Sequence, residues 1–177
     1  NLHLHITGRL DNGYHTLDSL IAFADAGDSI DIEPAQDFEF RVRGPYEKLF
    51  NAKELDASPD SSNIAVQAAW TLARAAQKNL NVRITLTKNL PLASGLGGGS
   101  ADAAAVIWGL CEWWNIPKGA HYLPGLMVKL GADVPVCLAG KSAYMGGIGE
   151  VLEKVTSLPK LGLILINPGI PLETPPV

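Results

Sequence analysis

The sequence predicts an α+β protein, and the expectation rests on the way two residue periods share the chain. Short segments such as Leu2-His3-Leu4-His5-Ile6 and Asp28-Ser29-Ile30-Asp31-Ile32-Glu33 alternate apolar and polar residues, as half-buried strands do. Longer segments, Ile64–Lys78 foremost, repeat their apolar residues at helical spacing. A run of glycines joins one such strand directly to an alanine-rich helix at Pro91–Ile107.

The elements follow in order. Leu2, Leu4 and Ile6 take one face of the first strand, and Asn1, His3 and His5 the other. Two histidines on one strand face can hold a metal, but no third ligand is near in sequence, so they read as sheet or pocket-lining residues. Thr7–Gly13 is a turn, with Asn12-Gly13 as its hairpin signal. Tyr14-His15-Thr16-Leu17 and the run Leu20–Ala24 continue into a second strand. Tyr14 and His15 put an aromatic face beside an imidazole, a pair suited to a planar heterocycle and equally to an ordinary surface turn. Asp28–Glu33 and Phe38–Val42 are expected to be two antiparallel strands.

A polar connection over residues 47–62 ends in Asp60-Ser61-Ser62-Asn63, which supplies caps for the helix Ile64–Lys78. Asn63 is a cap or a ligand contact. Leu80, Val82, Ile84 and Leu86 alternate with polar residues in a strand that leads through Lys88 to the glycines; Lys88 reads either as a nucleotide contact at the loop's edge or as a surface lysine. Trp108, Trp113 and Trp114 are expected in and around the core. A helix over His121–Leu130 stops at Gly131, and a strand is expected over Val136–Met145. Asp133 stands between them among small and apolar neighbours, where it either caps a turn or handles a proton. Leu161–Ile166 reads as a buried strand and the proline-rich Asn167–Val177 as a linker.

The stretch Pro91-Leu92-Ala93-Ser94-Gly95-Leu96-Gly97-Gly98-Gly99-Ser100 organises the rest. Its glycines let the backbone approach a ligand closely, and successive N–H groups can converge on an anion. Ser100 is expected to cap the helix that follows, so that the helix's unpaired N–H groups face the same cavity. No Gly-Lys-Ser/Thr closes the loop, which excludes a Walker A motif, and no acidic residue stands where a dinucleotide fingerprint needs one.

With 177 residues, 47% of them hydrophobic, the chain is sized for one domain with one core. A net charge of -4 argues against a broad nucleic-acid surface. Cys111 and Cys137 lack metal-type spacing and suit a reduced, cytoplasmic protein; no apolar run is long enough to span a bilayer.

Taken together, Asn1, Thr7-Gly8, Asp11–Leu17, Leu90–Ala104, Leu130–Pro135 and Gly147-Ile148-Gly149-Glu150 resemble the 4-diphosphocytidyl-2-C-methyl-D-erythritol kinase family of the GHMP kinase superfamily. The glycine loop carries the resemblance to the superfamily, and Gly13–Leu17 the resemblance to this branch of it. The resemblance implies transfer of the ATP γ-phosphoryl group to the 2-hydroxyl of a cytidine-diphosphate-linked methylerythritol, a step in non-mevalonate isoprenoid synthesis. It implies the superfamily's N-terminal domain over residues 1–166, a mostly antiparallel sheet with helices on one side, and the start of a linker over 167–177.

The same resemblance implies roles. Asp133 is the base. Ser94, Gly95, Leu96, Gly97, Gly98, Gly99 and Ser100 wrap the phosphates, with Pro91, Asn63 and Lys88 completing the nucleotide pocket. Asn1 sits near the reacting hydroxyl, Tyr14 stacks on the cytosine, His15 hydrogen-bonds it, and Thr174 lies on the cytidine side. ATP brings Mg2+, for which Ser100 is the one protein ligand expected. The family carries a catalytic lysine just ahead of the position of Asn1 and a C-terminal domain beyond the linker, so this chain is expected to be a fragment of low or no activity. Two alternatives stay open: another small-molecule kinase of the superfamily, and a non-catalytic nucleotide-binding module.

Overall fold

The computed structural model describes residues 1–11, 13–117, 119–156 and 158–167. Asn12 of the expected hairpin turn, Thr174 and nearly all of the expected linker lie outside the described residues.

Among the described residues, seven strands form two sheets. The first has the order β1-β2-β6-β7, from β1 (His3–Arg9), β2 (His15–Ile21), β6 (Ala143–Gly147) and β7 (Val151–Lys154), every pair antiparallel. The second has the order β3-β5-β4, from β3 (Ser29–Pro34), β4 (Glu39–Arg43) and β5 (Val82–Thr87). Alternation correctly marks β3 and β4 as strands, but they are not partners. β5 lies between them, antiparallel to β3 and parallel to β4, because its alternate residues Val82, Ile84 and Leu86 supply the most deeply buried row of the sheet.

Helices cover one face of each sheet. Between β4 and β5 come a short 3-10 turn (Glu47–Leu49), α1 (Ala52–Leu55) and α2 (Ile64–Ala76). After the glycine loop come α3 (Gly98–Trp113), α4 (Leu123–Leu130) and α5 (Val134–Ala139). Small residues on α2 (Ala65, Ala68, Ala69) and α3 (Ala103, Ala104) let these helices pack closely over Ile84 and Leu86 to form the main core. A second cluster joins Val136 of α5 to Ile21, Ala143 and Met145 of the four-stranded sheet.

Three expectations are corrected. Residues 134–139 are helix rather than the start of a strand, since Pro135 sits in the first turn, where a missing N–H costs nothing, and Val136 turns onto the sheet; the strand begins only at Ala143. Leu161–Ile166 is neither strand nor buried: Ile164 is 84% exposed. Leu2, Leu4 and Ile6 do alternate along β1, but β1 is an edge strand and all three are exposed. Trp108 anchors α3 by donating its Nε1–H to the Leu138 carbonyl at 2.8 Å, whereas Trp113 is exposed.

Candidate active site

The glycine loop runs from the end of β5 into α3. Gly97 takes φ 71°, a left-handed conformation open to glycine, and it, rather than Ser100, caps the helix. Ser100 therefore belongs to the first turn of α3, where its backbone N–H is one of the unpaired donors at the positive end of the helix. Ala93 is also left-handed, at φ 49°, so the chain bends sharply both on entering and on leaving the loop.

A cleft of about 340 Å³ opens over this loop. Of the residues expected around a nucleotide, Asn63, Lys88, Pro91, Ser94, Gly95, Gly97, Gly98, Gly99 and Ser100 line it; Leu96 does not and is exposed. Sequence reasoning missed Phe50, Glu54, Ile64 and Asp102, which also line it. Phe50 and Glu54 come from the polar connection before α2, and only the Asn51-x-x-Glu54 capping box there hinted at order. Asn63 does cap α2, its Oδ1 accepting from the Ala65 N–H at 2.9 Å, while its other side borders the cleft.

Asp133, the expected base, approaches the loop at Gly97 but is not among the residues that line this cleft. A β-carbon built on Gly97 would lie 4.0 Å from Asp133 Oδ2, and one built on Gly131 would lie 4.0 Å from Ser100 Oγ. The Asp133 carboxylate thus lies near Gly97, and the Ser100 hydroxyl near Gly131. Asp133 precedes α5 without any side-chain hydrogen bond to the helix. Its charge, together with burial as the larger cause, pushes the thiol of Cys137 up to about 11 one turn later.

Lys88 does not project as a free cation. It is buried, with Nζ 2.6 Å from Asp28 Oδ2 and 2.8 Å from Asp102 Oδ2. Burial raises the carboxyl of Asp102 to about 6 despite the nearby ammonium.

Residues 63–141 match the family of GHMP kinases N terminal domains. This stretch is similar to a GHMP kinase N-terminal domain. Over all 177 residues it is 47% identical to a 4-diphosphocytidyl-2-C-methyl-D-erythritol kinase of Paramagnetospirillum magneticum, and it is 45% identical to one of Cereibacter sphaeroides over its whole length. It spans 59% of the length of each of these relatives. A crystal structure of 4-(cytidine 5'-diphospho)-2C-methyl-D-erythritol kinase superposes with a TM-score of 0.66 at 35% identity, covering 90% of this chain and 53% of that one.

The remaining expected site residues described lie on the first hairpin, ahead of the residues that match the GHMP kinase family. Asn1 donates its Nδ2–H to the hydroxyl of buried Ser19 at 2.7 Å, and Ser19 in turn donates to the His3 carbonyl at 2.7 Å. Tyr14 is 54% exposed and His15 opens β2 opposite Arg9. Asn1 and Tyr14 stand at opposite ends of the β1–β2 pair, so only an extended ligand would touch both. The hairpin connects to Asp133 through β6: Leu17 pairs with Gly147, and the turn after Gly147 packs Gly149 on Ala132. Among the described residues, no group of three His, Cys, Asp or Glu side chains forms a metal site, His3 and His5 included. No described helix is long and apolar enough to cross a membrane.

Proposed function

We propose that this chain is the nucleotide-binding and catalytic part of a kinase that moves the γ-phosphoryl group of ATP to the 2-hydroxyl of 4-diphosphocytidyl-2-C-methyl-D-erythritol, in non-mevalonate isoprenoid synthesis. The observation that carries this reading is the approach of the Asp133 carboxylate to Gly97, which sets a proton acceptor against an anion cradle. The relatives' names supply the substrate, and exposed Tyr14 beside His15 supplies a surface on which a cytosine ring can stack and hydrogen-bond.

Phosphoryl transfer asks a protein for placement and charge stabilisation rather than covalent chemistry. The backbone N–H groups of Ser94–Ser100 and the N-terminus of α3 hold the phosphates, with Pro91, Asn63 and Lys88 bounding the pocket. Asp133 accepts the proton of the attacking hydroxyl. Asn1 orients the substrate at the end of β1, and Thr174 contributes on the cytidine side. Magnesium, when bound with ATP, neutralises phosphate charge; the residues fit an ion held mainly by phosphate and water, with the Ser100 hydroxyl as the protein ligand. Cys111 and Cys137, both free thiols, suit a cytoplasmic protein.

Calorimetric titration of this chain with CDP and, separately, with ATP and magnesium tests the proposal. CDP is expected to bind, and Tyr14→Ala to weaken it by roughly 1–3 kcal/mol, the loss of one base stack. Binding of ATP without CDP would retain a nucleotide kinase and reject the cytidine substrate. Binding of neither would reject the assignment for this chain.

A further inference from the structure

Three buried charges beneath the glycine loop, one of them Lys88 at the pocket's edge, form a cluster to which the phosphoryl transfer just described gives no chemical step. Lys88 follows β5, Asp28 precedes β3 and Asp102 lies in α3, and their side chains are 3%, 3% and 7% exposed. The ammonium of Lys88 donates to Oδ2 of both carboxylates. The other oxygen of Asp28 accepts the backbone N–H groups of Asn89 at 2.6 Å and Leu90 at 2.9 Å, the two residues that lead into the loop. Gly98, where the loop becomes helix, lies on the ammonium: a β-carbon built there would sit 3.2 Å from Lys88 Nζ and 3.6 Å from Asp28 Oδ2. One cluster therefore grips the entry to the loop, its exit, and the helix behind it.

The charges are arranged for holding rather than for attracting phosphate. An ammonium already facing two carboxylates presents no net positive charge to an anion, and a buried ion cluster gains little stability over an apolar replacement. Its distinctive property is geometric, since each charge-assisted bond fixes direction as well as distance. Asp28 does not line the cleft, so it reaches a nucleotide only through the loop.

We propose that Asp28, Lys88 and Asp102 are positioning residues of the nucleotide site, fixing the glycine loop at both ends so that its N–H groups meet the phosphates, with Lys88 acting through the loop and not by contact with phosphate. The proposal rests on the reading of the loop as an ATP site.

The test compares the parent chain with Asp28→Asn, Lys88→Met and the double variant Lys88→Met/Asp102→Leu. ATP with magnesium and CDP are titrated against each, and hydrogen exchange of the amides of Ser94–Ser100 is followed without ligand. Asp28→Asn is expected to weaken ATP roughly ten- to a hundredfold, because binding must then order a loop that the parent holds in place, while CDP affinity holds within about twofold and the loop amides exchange faster. The double variant removes two of the three charges together and should keep its fold, and it is expected to show the same pattern. Unchanged loop exchange and ATP affinity in Asp28→Asn, with ATP lost in Lys88→Met, would make Lys88 a direct phosphate ligand and overturn the proposal. So would tighter ATP binding in Asp28→Asn, the mark of a released ammonium. If the parent binds no ATP, the nucleotide reading fails by itself; the exchange rates then decide the clamp, faster in the variants supporting it and unchanged overturning it.

Discussion

Gly149 lies against the backbone of Ala132, so that the turn between β6 and β7 directly supports the residue ahead of Asp133. A β-carbon at Gly149 would lie 2.9 Å from Ala132 Cα and closer still to the Ala132 carbonyl oxygen, and its φ is 109°. The same turn is tied internally, with the Ile148 N–H donating to Glu150 Oε2 at 2.6 Å.

Gly149→Ala is therefore expected to destabilise the fold by about 2–4 kcal/mol, combining overpacking against backbone with a strained φ. Gly13→Ala provides the comparison, since Gly13 also has positive φ, 90°, but nothing lies within 4 Å of its would-be β-carbon. It should cost only about 1 kcal/mol. Urea unfolding of both variants measures the difference, and equal losses would mean that the contact with Ala132 carries no energy.

Replacing Asp133 by Asn is expected to lower phosphoryl transfer by roughly 10²–10⁴ where transfer is measured, with ATP affinity within about twofold, because a proton acceptor is removed and the phosphate cradle is not. Comparable turnover in the variant would remove Asp133 from the chemistry.

Cys137 supplies a pH test of the same neighbourhood. Burial first, then the charges of Asp133 and Asp102, raise its thiol from 9.0 to about 11, so at pH 8 it should alkylate about a hundredfold more slowly than an unperturbed thiol. Because the folded pKa is the higher one, this thiol favours the folded state below pH 9 and loses that contribution as pH rises toward 11. Asp133→Asn should speed alkylation of Cys137, read by peptide mass mapping. No change in that rate would mean the carboxylate does not face the thiol.

Asn63→Ala is expected to cost about 1 kcal/mol through loss of the α2 cap. Asn63→Ser retains a capping oxygen and should restore stability without restoring any contact made to a nucleotide. Parallel unfolding and ATP titrations separate the two duties of this residue; an ATP affinity that follows stability through both variants would leave it a cap alone.

What the sequence made legible was local. The strand, glycine loop and helix from Val82 to Trp113 follow one another in the chain, so alternation and glycine content sufficed to place the cradle. Residues 134–139 defeated the same reasoning, because a short apolar run fits either period, and the choice of helix came from Pro135 and from packing of Val136 on the sheet. The pairing of β4 with β5 carried no local signal, and neither did the cluster at Lys88, whose partner Asp28 is 60 positions away. Phe50 and Glu54 reached the cleft unannounced for the same reason: their place depends on the turn of chain that returns α2 to the sheet.

The central place of β5 also has a temporal side. Arg43 of β4 and Thr87 at the end of β5 are 44 positions apart, and both outer strands of that sheet are synthesised before the strand they share. At about 5–20 residues per second a ribosome leaves β3 and β4 without their partner for roughly 2–9 s. Over that interval Ile30, Ile32, Phe40 and Val42 are nascent, unpaired and apolar. Protease sensitivity of arrested chains should fall abruptly once Thr87 has cleared the exit tunnel, and a gradual fall would show that the outer strands settle without it. The segment that delivers the phosphate cradle is thus also the one for whose arrival the half-made protein must be kept from sticking to its neighbours.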